Sequence, residues 1–109
     1  MNNSQLRGTP FSQTATNATS SVATQSAVAG STFYITDISG SSDKAGAKIL
    51  VKDGTTVIWQ DQLMVTAAGS SFYEHTFSTP LKGTLGNLIS VTVDSTSVGT
   101  ANVSGYSIP

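Results

Sequence analysis

His75 is the single histidine of the chain and the one ordinary side chain for acid–base chemistry near neutral pH. Glu74 precedes it directly. On a strand, neighbours point to opposite faces, so Glu74 cannot orient His75 as a catalytic pair requires. Packing in the core or an interface is the expected role of His75. Many serines around one histidine give no spacing specific to a Ser-His-Asp arrangement. The sequence contains no cysteine, which removes disulfides, Cys-based zinc sites and thiol chemistry. Asp37, Asp43, Asp53, Asp61 and Asp94 are scattered, with no Asp-x-Asp-x-Asp-Gly run to wrap a calcium ion, and Asp43 and Asp53 suit turns. No two carboxylates single themselves out for glycoside hydrolysis. Gly83 to Gly86 leads into a strand pattern, not a helix whose N-terminus would cradle phosphate. The expectation is a chain with no catalytic residues, no metal and no cofactor, hence not an enzyme.

The aromatic residues offer binding chemistry instead. Tyr34, Trp59, Phe72 and Tyr73 could stack against sugar rings, or pack on one another across strands. Trp59 shares the apolar face of a predicted hairpin and is expected in the core. Phe72 lies on the face opposite Tyr73 and Phe77, so it is expected to be exposed. An exposed Phe marks a subunit contact more readily than a carbohydrate site, which makes Phe72 a candidate contact residue.

These side chains must be positioned by strands. Of the 109 residues, 38% are apolar and only 10% charged, against about 25% charged in a typical domain. Serine and threonine make up about three residues in ten. Such a composition favours strands and turns over helices. From Ser31 onward, alternation of period two recurs. Thr32 to Ile38 reads as a strand with Phe33 and Ile35 on one side and Tyr34, Thr36 and Ile38 on the other, ended by Ser39-Gly40-Ser41-Ser42. Ala47 to Gln60 reads as a hairpin around Lys52-Asp53-Gly54. A three-residue loop with Gly54 at positive φ places Ile49, Val51, Val57 and Trp59 on one face, so that register is expected. Leu63 to Ala67 is a short strand. Ser71 to Phe77 alternates Tyr73, His75 and Phe77 against Phe72, Glu74 and Thr76, and Thr79-Pro80 is expected to break it. Leu88 to Asp94 points Ile89, Val91 and Val93 inward, and Ala101 to Ile108 closes the domain. Seven or eight short strands predict an all-β, antiparallel β-sandwich of jelly-roll type, although strand pattern does not separate that order from an immunoglobulin-like one.

The first thirty residues differ. Their single charge is Arg7, and Leu6, Phe11, Val22 and Val28 are too sparse for a core. Residues 1–30 read as a flexible polar N-terminal arm, with a weak edge strand over 20–28, in front of a sandwich domain over 31–109. Met1 to Phe11 holds no apolar segment of a secretory signal, and no run approaches membrane-spanning length. Net charge is −1, and Lys44, Lys48, Lys52 and Lys82 are interleaved with acids. Neither a nucleic-acid partner nor a membrane is therefore expected. Without disulfides or metal, so small a core is expected to gain burial by forming a homo-oligomer.

From about Ala27 onward the chain resembles small β-sandwich virion proteins of tailed bacteriophages, of capsid-decoration or head-fibre type. The resemblance rests on Tyr34-Ile-Thr-Asp-Ile-Ser-Gly40, Val51-Lys-Asp-Gly-Thr-Thr-Val-Ile-Trp59, Pro80-Leu-Lys-Gly-Thr-Leu-Gly-Asn-Leu-Ile-Ser-Val91 and Val103-Ser-Gly-Tyr106. It implies a jelly roll, often trimeric, that binds a major capsid protein or another virion protein. It also implies synthesis in the host cytoplasm and release in virions by lysis. Because such N-terminal segments tend to anchor to the shell, Arg7 and Phe11 are the expected anchoring residues. A head-fibre or tail component is the alternative within this class, and a carbohydrate-binding or adhesin module is the rival from another.

Overall fold

The computed structural model describes residues 8–17, 19–44, 46–65, 71–95 and 98–109. Nine strands follow one another: β1 (Thr9–Asn17), β2 (Ser20–Gln25), β3 (Thr32–Ser42), β4 (Lys48–Asp53), β5 (Thr56–Gln62), β6 (Met64–Val65), β7 (Ser71–Lys82), β8 (Ile89–Asp94) and β9 (Gly99–Ile108). Every pairing is antiparallel. The pairing is nested: β1 with β9, β2 with β8, β3 with β7, and β4 with β5 at the closed end. A two-stranded ribbon of this kind, wrapped on itself, yields one sheet ordered β1-β9-β3-β7-β6 and another ordered β2-β8-β4-β5. The fold is thus an antiparallel β-sandwich of jelly-roll type, and strand order excludes the immunoglobulin-like alternative.

The core lies between the two sheets. Ile89, Val91 and Val93 of β8 and Ile49 and Val51 of β4 meet Phe33, Ile35 and Ile38 of β3 and Ala101 and Val103 of β9, all buried. Alternation brings every second residue to that layer. Burying a Val, Ile or Phe side chain contributes about 1.5–3 kcal/mol, which makes this layer the main support of the fold. Polar groups within it are paired: Ser21 Oγ donates to the Gly99 carbonyl at 2.6 Å, and Ser71 Oγ to the Lys44 carbonyl at 3.0 Å.

The structure differs from the sequence expectations in several places. Thr9–Asn17, expected in a flexible arm, is a strand along β9, with Phe11 and Ala15 packed against the core. An edge strand buries one face only, so two inward apolar residues suffice. The expected edge strand in 20–28 is β2. In β3 the register shifts between Ile35 and Asp37, which turns Ile38 to the same side as Phe33 and Ile35. A bulge adds one residue to the count and flips the faces beyond it. The β4–β5 loop is the two-residue Gly54-Thr55, with Asp53 opposite Thr56 and Gly54 at φ 63°, as in a type II′ turn. A register shift between Val51 and Lys52 then sets Trp59 opposite Val51, which keeps it on the expected face, but pairs Val57 with Lys52 and leaves it exposed. β3 includes Ser39-Gly40-Ser41-Ser42, expected to end it, and β7 runs on through Pro80 to Lys82. Pro80 is tolerated because it lies where the β3–β7 register shifts, between the Ile35–Leu81 and Asp37–Thr76 pairs.

Candidate functional site

The side chains singled out for chemistry separate onto two surfaces. Tyr73, His75 and Phe77 point from β7 into the space between the sheets, where Trp59 of β5 meets them. Ring centroids lie 5.7 Å from Trp59 to Tyr73, 5.3 Å to His75 and 5.4 Å to Phe77. His75 in turn lies edge-on to Phe77 at 4.6 Å. This cluster closes one side of the sandwich, and it assigns Trp59 and His75 the packing role expected of them. At its rim the Tyr73 hydroxyl donates to Asp61 Oδ2 at 2.8 Å. The Asp61 carboxylate also accepts the Gln62 backbone N–H, and these bonds hold its pKa below the ordinary value. Burial pushes the Tyr73 phenol up to about 12, and the bond to the Asp61 carboxylate adds to the shift.

Glu74 lies on the opposite face of β7 from His75, so the two form no catalytic pair. Among the described residues no three His, Cys, Asp or Glu side chains converge as a metal site would require.

The second surface is the outer face of the five-stranded sheet. Cross-strand register places residues there in rows. One row is Ser12, Ser104, Asp37 and Thr76, and the next is Thr14, Asn102, Ser39 and Glu74. Together they line a shallow open trough of about 270 Å³. Hydrogen bonds tie them across strands: Asn102 Nδ2 donates to Ser39 Oγ at 3.0 Å, and Thr76 Oγ1 to Asp37 Oδ1 at 2.8 Å. Thr36, on the bulge, adds a second hydroxyl to Asp37 at 2.9 Å.

Aromatic residues bound the trough at both ends. Toward one end Tyr34 and Tyr106, directly paired, stack at 5.1 Å with rings 10° apart. At the other, Phe72 stands between Ser41 and Met64. Phe72 is 48% exposed, Met64 58% and Val98 53%. Phe72 and Val98 line one shallow depression together, so these residues form an apolar corner.

Phe72 therefore lies where its sequence pattern placed it, exposed on the outer face. Phe11, expected as an anchor on a free arm, instead sits edge-on to Phe33 at 5.3 Å. Its ring is half-buried against the core, on a paired strand and not on a free arm. Arg7 lies outside the described residues. The hydroxyl rows were missed by sequence reasoning. Their signal was the alternation Ser12-Thr14-Thr16 in β1 and Thr100-Asn102-Ser104-Tyr106 in β9, readable only once the two segments are known to pair.

Comparison with protein-family profiles gives no match, and comparison with curated proteins gives none. Several solved structures are similar in shape. The C-terminal CBM6 of LamC, a marine laminarinase from Zobellia galactanivorans, is 9% identical, with TM-score 0.49, over 89% of this chain and 99% of that one. A cyclase from Fischerella sp. TAU is 17% identical, with TM-score 0.38, over 84% of this chain and 57% of that one. The chain thus spans little more than half the cyclase. The insecticidal crystal protein Cry2Aa is 10% identical, with TM-score 0.41, over 83% of this chain and 16% of that one. At these identities and scores no function carries across.

Proposed function

We propose that the chain is a non-catalytic virion structural protein of a tailed bacteriophage. In this reading it binds the major capsid protein, or another virion protein, through the outer face of the five-stranded sheet. The observation that carries it is the make-up of that face: rows of short hydroxyl and amide side chains on four neighbouring strands, uncharged on β1 and β9 and joined by Asp37 on β3 and Glu74 on β7, with the apolar corner of Phe72, Met64 and Val98 at one end. Short polar side chains lose little rotamer freedom on contact, and interfaces are anchored by aromatic and Met side chains. The resemblance of residues 34–40, 51–59, 80–91 and 103–106 to phage decoration and head-fibre proteins points the same way. The mechanism is mechanical: contact area added to the shell raises the barrier to its rupture.

The test is co-sedimentation of the purified protein with particles lacking it, together with mass spectrometry of intact virions. Saturable binding is expected, weakened at least about tenfold by Asn102→Arg, which sets a long side chain in the middle of the short ones, and by Phe72→Ala, which removes its anchor. Undiminished binding by both variants would exclude this face, and absence from virions would exclude the function.

One observation favours a second reading, a carbohydrate-binding module. The same trough combines hydroxyls, an amide and two carboxylates with aromatic rings toward both ends, the chemistry that holds a polyol. Glycan binding lost on Tyr34→Ala or Phe72→Ala, with no particle association, would establish it instead.

A further inference from the structure

The open side of the sandwich formed by β1 and β2 is unlike the rest of the surface. Among the described residues no strand pairs with β1 beyond β9, or with β2 beyond β8. In an antiparallel ladder every second residue of an edge strand turns its N–H and C=O outward. Over the nine residues of β1 this leaves a row of backbone donors and acceptors ready for another strand. Proteins normally blunt such edges with charge, proline, bulges or short length. The opposite side is blunted in this way: β6 is two residues long, and β5 has a register shift and carries Asp61. Among the described residues the β1–β2 side has one such device, Pro10 at the start of β1. No charged residue occurs from Gly8 to Thr36, the β1–β9 register is unbroken from Thr9 to Asn17, and Pro10 touches only the extremity. The two edge strands are also fixed to each other, with Gln13 Nε2 donating to Gln25 Oε1 at 3.0 Å.

We propose that β1 is the contact for a second copy of the chain, pairing antiparallel with its own counterpart about a two-fold axis to give one continuous sheet across the dimer. The edge is neutral, so nothing in it selects a charged partner, and its side chains suit their own image. Pairing centred on Gln13 lays all nine residues of one β1 along the other. It sets Ser12 of each copy opposite Thr14 of the other, favourable hydroxyl neighbours. On the inner face it sets the large Phe11 opposite the small Ala15. The outer face, with its hydroxyl rows, becomes twice as wide. A β1–β1 contact is isologous and closes at two copies, in contrast to the trimer that the family resemblance implies.

The test uses the full chain, free of any partner particle. Its mass in solution is expected at about twice 11.2 kDa at micromolar concentration. The pair Ser12→Lys with Thr14→Lys sets like charges opposite each other across the axis and is expected to weaken the dimer about tenfold or more. Ser12→Lys with Thr14→Glu sets opposite charges there and is expected to restore it, which separates lost pairing from lost folding. Because the chain has no cysteine, Gln13→Cys reports the register directly. Residues directly opposite in an antiparallel pair lie about 4.5–5.5 Å apart, within disulfide reach. Gln13→Cys is expected to cross-link into dimers on mild oxidation, while Gln60→Cys on the far side does not. A monomer at all concentrations, an oligomer indifferent to the lysine pair, or equal cross-linking by both cysteines would overturn the proposal.

Discussion

Replacing Phe11 by alanine asks whether β1 belongs to the cooperative domain or only lies along it. The ring is half-buried, opposite Gly105 in the ladder, and edge-on to Phe33 with centroids 5.3 Å apart. Full burial makes a Phe→Ala change cost about 3–5 kcal/mol. Half-burial reduces that to about 2 kcal/mol, to which the edge-on aromatic pair contributes about 0.5–1.5 kcal/mol of its own. The expected loss is therefore about 2.5–3.5 kcal/mol, or a fall in Tm of roughly 10–28 °C for a domain of this size. Urea unfolding followed by Trp59 fluorescence, with far-ultraviolet circular dichroism as a second probe, measures it. The two transitions should coincide, and the midpoint should fall with little change in slope. A loss under about 0.5 kcal/mol, in the range of surface substitutions, would mean that β1 is not part of the folded unit. β1 would then offer no fixed edge for a second strand.

Gly105→Ala should be more damaging: a Cβ there would stand 1.9 Å from the Tyr34 carbonyl oxygen and 3.0 Å from Ile35 Cα, both backbone, so the variant is expected to lose about 3 kcal/mol or to misfold, as thermal unfolding would reveal. Gly54→Ala meets only the side chain of Asn87, but forces alanine to φ 63° and should cost about 1–2 kcal/mol by the same measurement. Raising pH should deprotonate Tyr73 only near 12 against an ordinary 10.0. The folded chain then holds its proton where the unfolded one releases it, so stability present below pH 10 is lost as pH rises toward 12. Ultraviolet absorbance of tyrosinate follows this step, and Asp61→Asn should move it down while the burial contribution remains; an unmoved step would exclude the Asp61 contact. Phe72→Ala should leave stability within about 0.5 kcal/mol, because the ring is exposed, while weakening particle binding.

Much of the β8–β4 half of the core was legible because those strands alternate strictly. Ile89, Val91 and Val93 all face inward as read, and Tyr73, His75 and Phe77 separate from Phe72, Glu74 and Thr76 as the pattern requires. Faces were misassigned where a bulge intervened, at Ile38 and at Val57. A bulge leaves the local residue types unchanged and is fixed by packing against the neighbouring strand. β1 escaped for a different reason. Its sequence, Thr-Pro-Phe-Ser-Gln-Thr-Ala-Thr-Asn, carries one large apolar residue, and its partner lies some ninety residues away. The candidate face shares that difficulty, since Ser12, Ser104, Asp37 and Thr76 become neighbours only through non-local register.

Low charge in this chain is a matter of distribution as well as amount. Strands β1, β2 and β9 carry no charged side chain, and every charged residue of the described strands lies on β3, β4, β5, β7 or β8. Nested pairing is what turns a sequence feature into a surface. It folds the uncharged segment from Gly8 to Thr36 against the uncharged C-terminal strand, so that among the described residues the β1 edge of the larger sheet, and the half of its outer face next to that edge, are free of charge. A neutral face on one strand pair could be an accident of composition. A neutral open edge of nine residues beside it is an association hazard unless something covers it. In the proposed arrangement a second copy covers the edge by backbone pairing, and a shell protein covers the face by side-chain contact. The two surfaces meet at β1 without competing, because one uses its backbone and the other its outward side chains. This division lets a dimer present two copies of the face to a particle at once, and two linked weak contacts hold far more firmly than one.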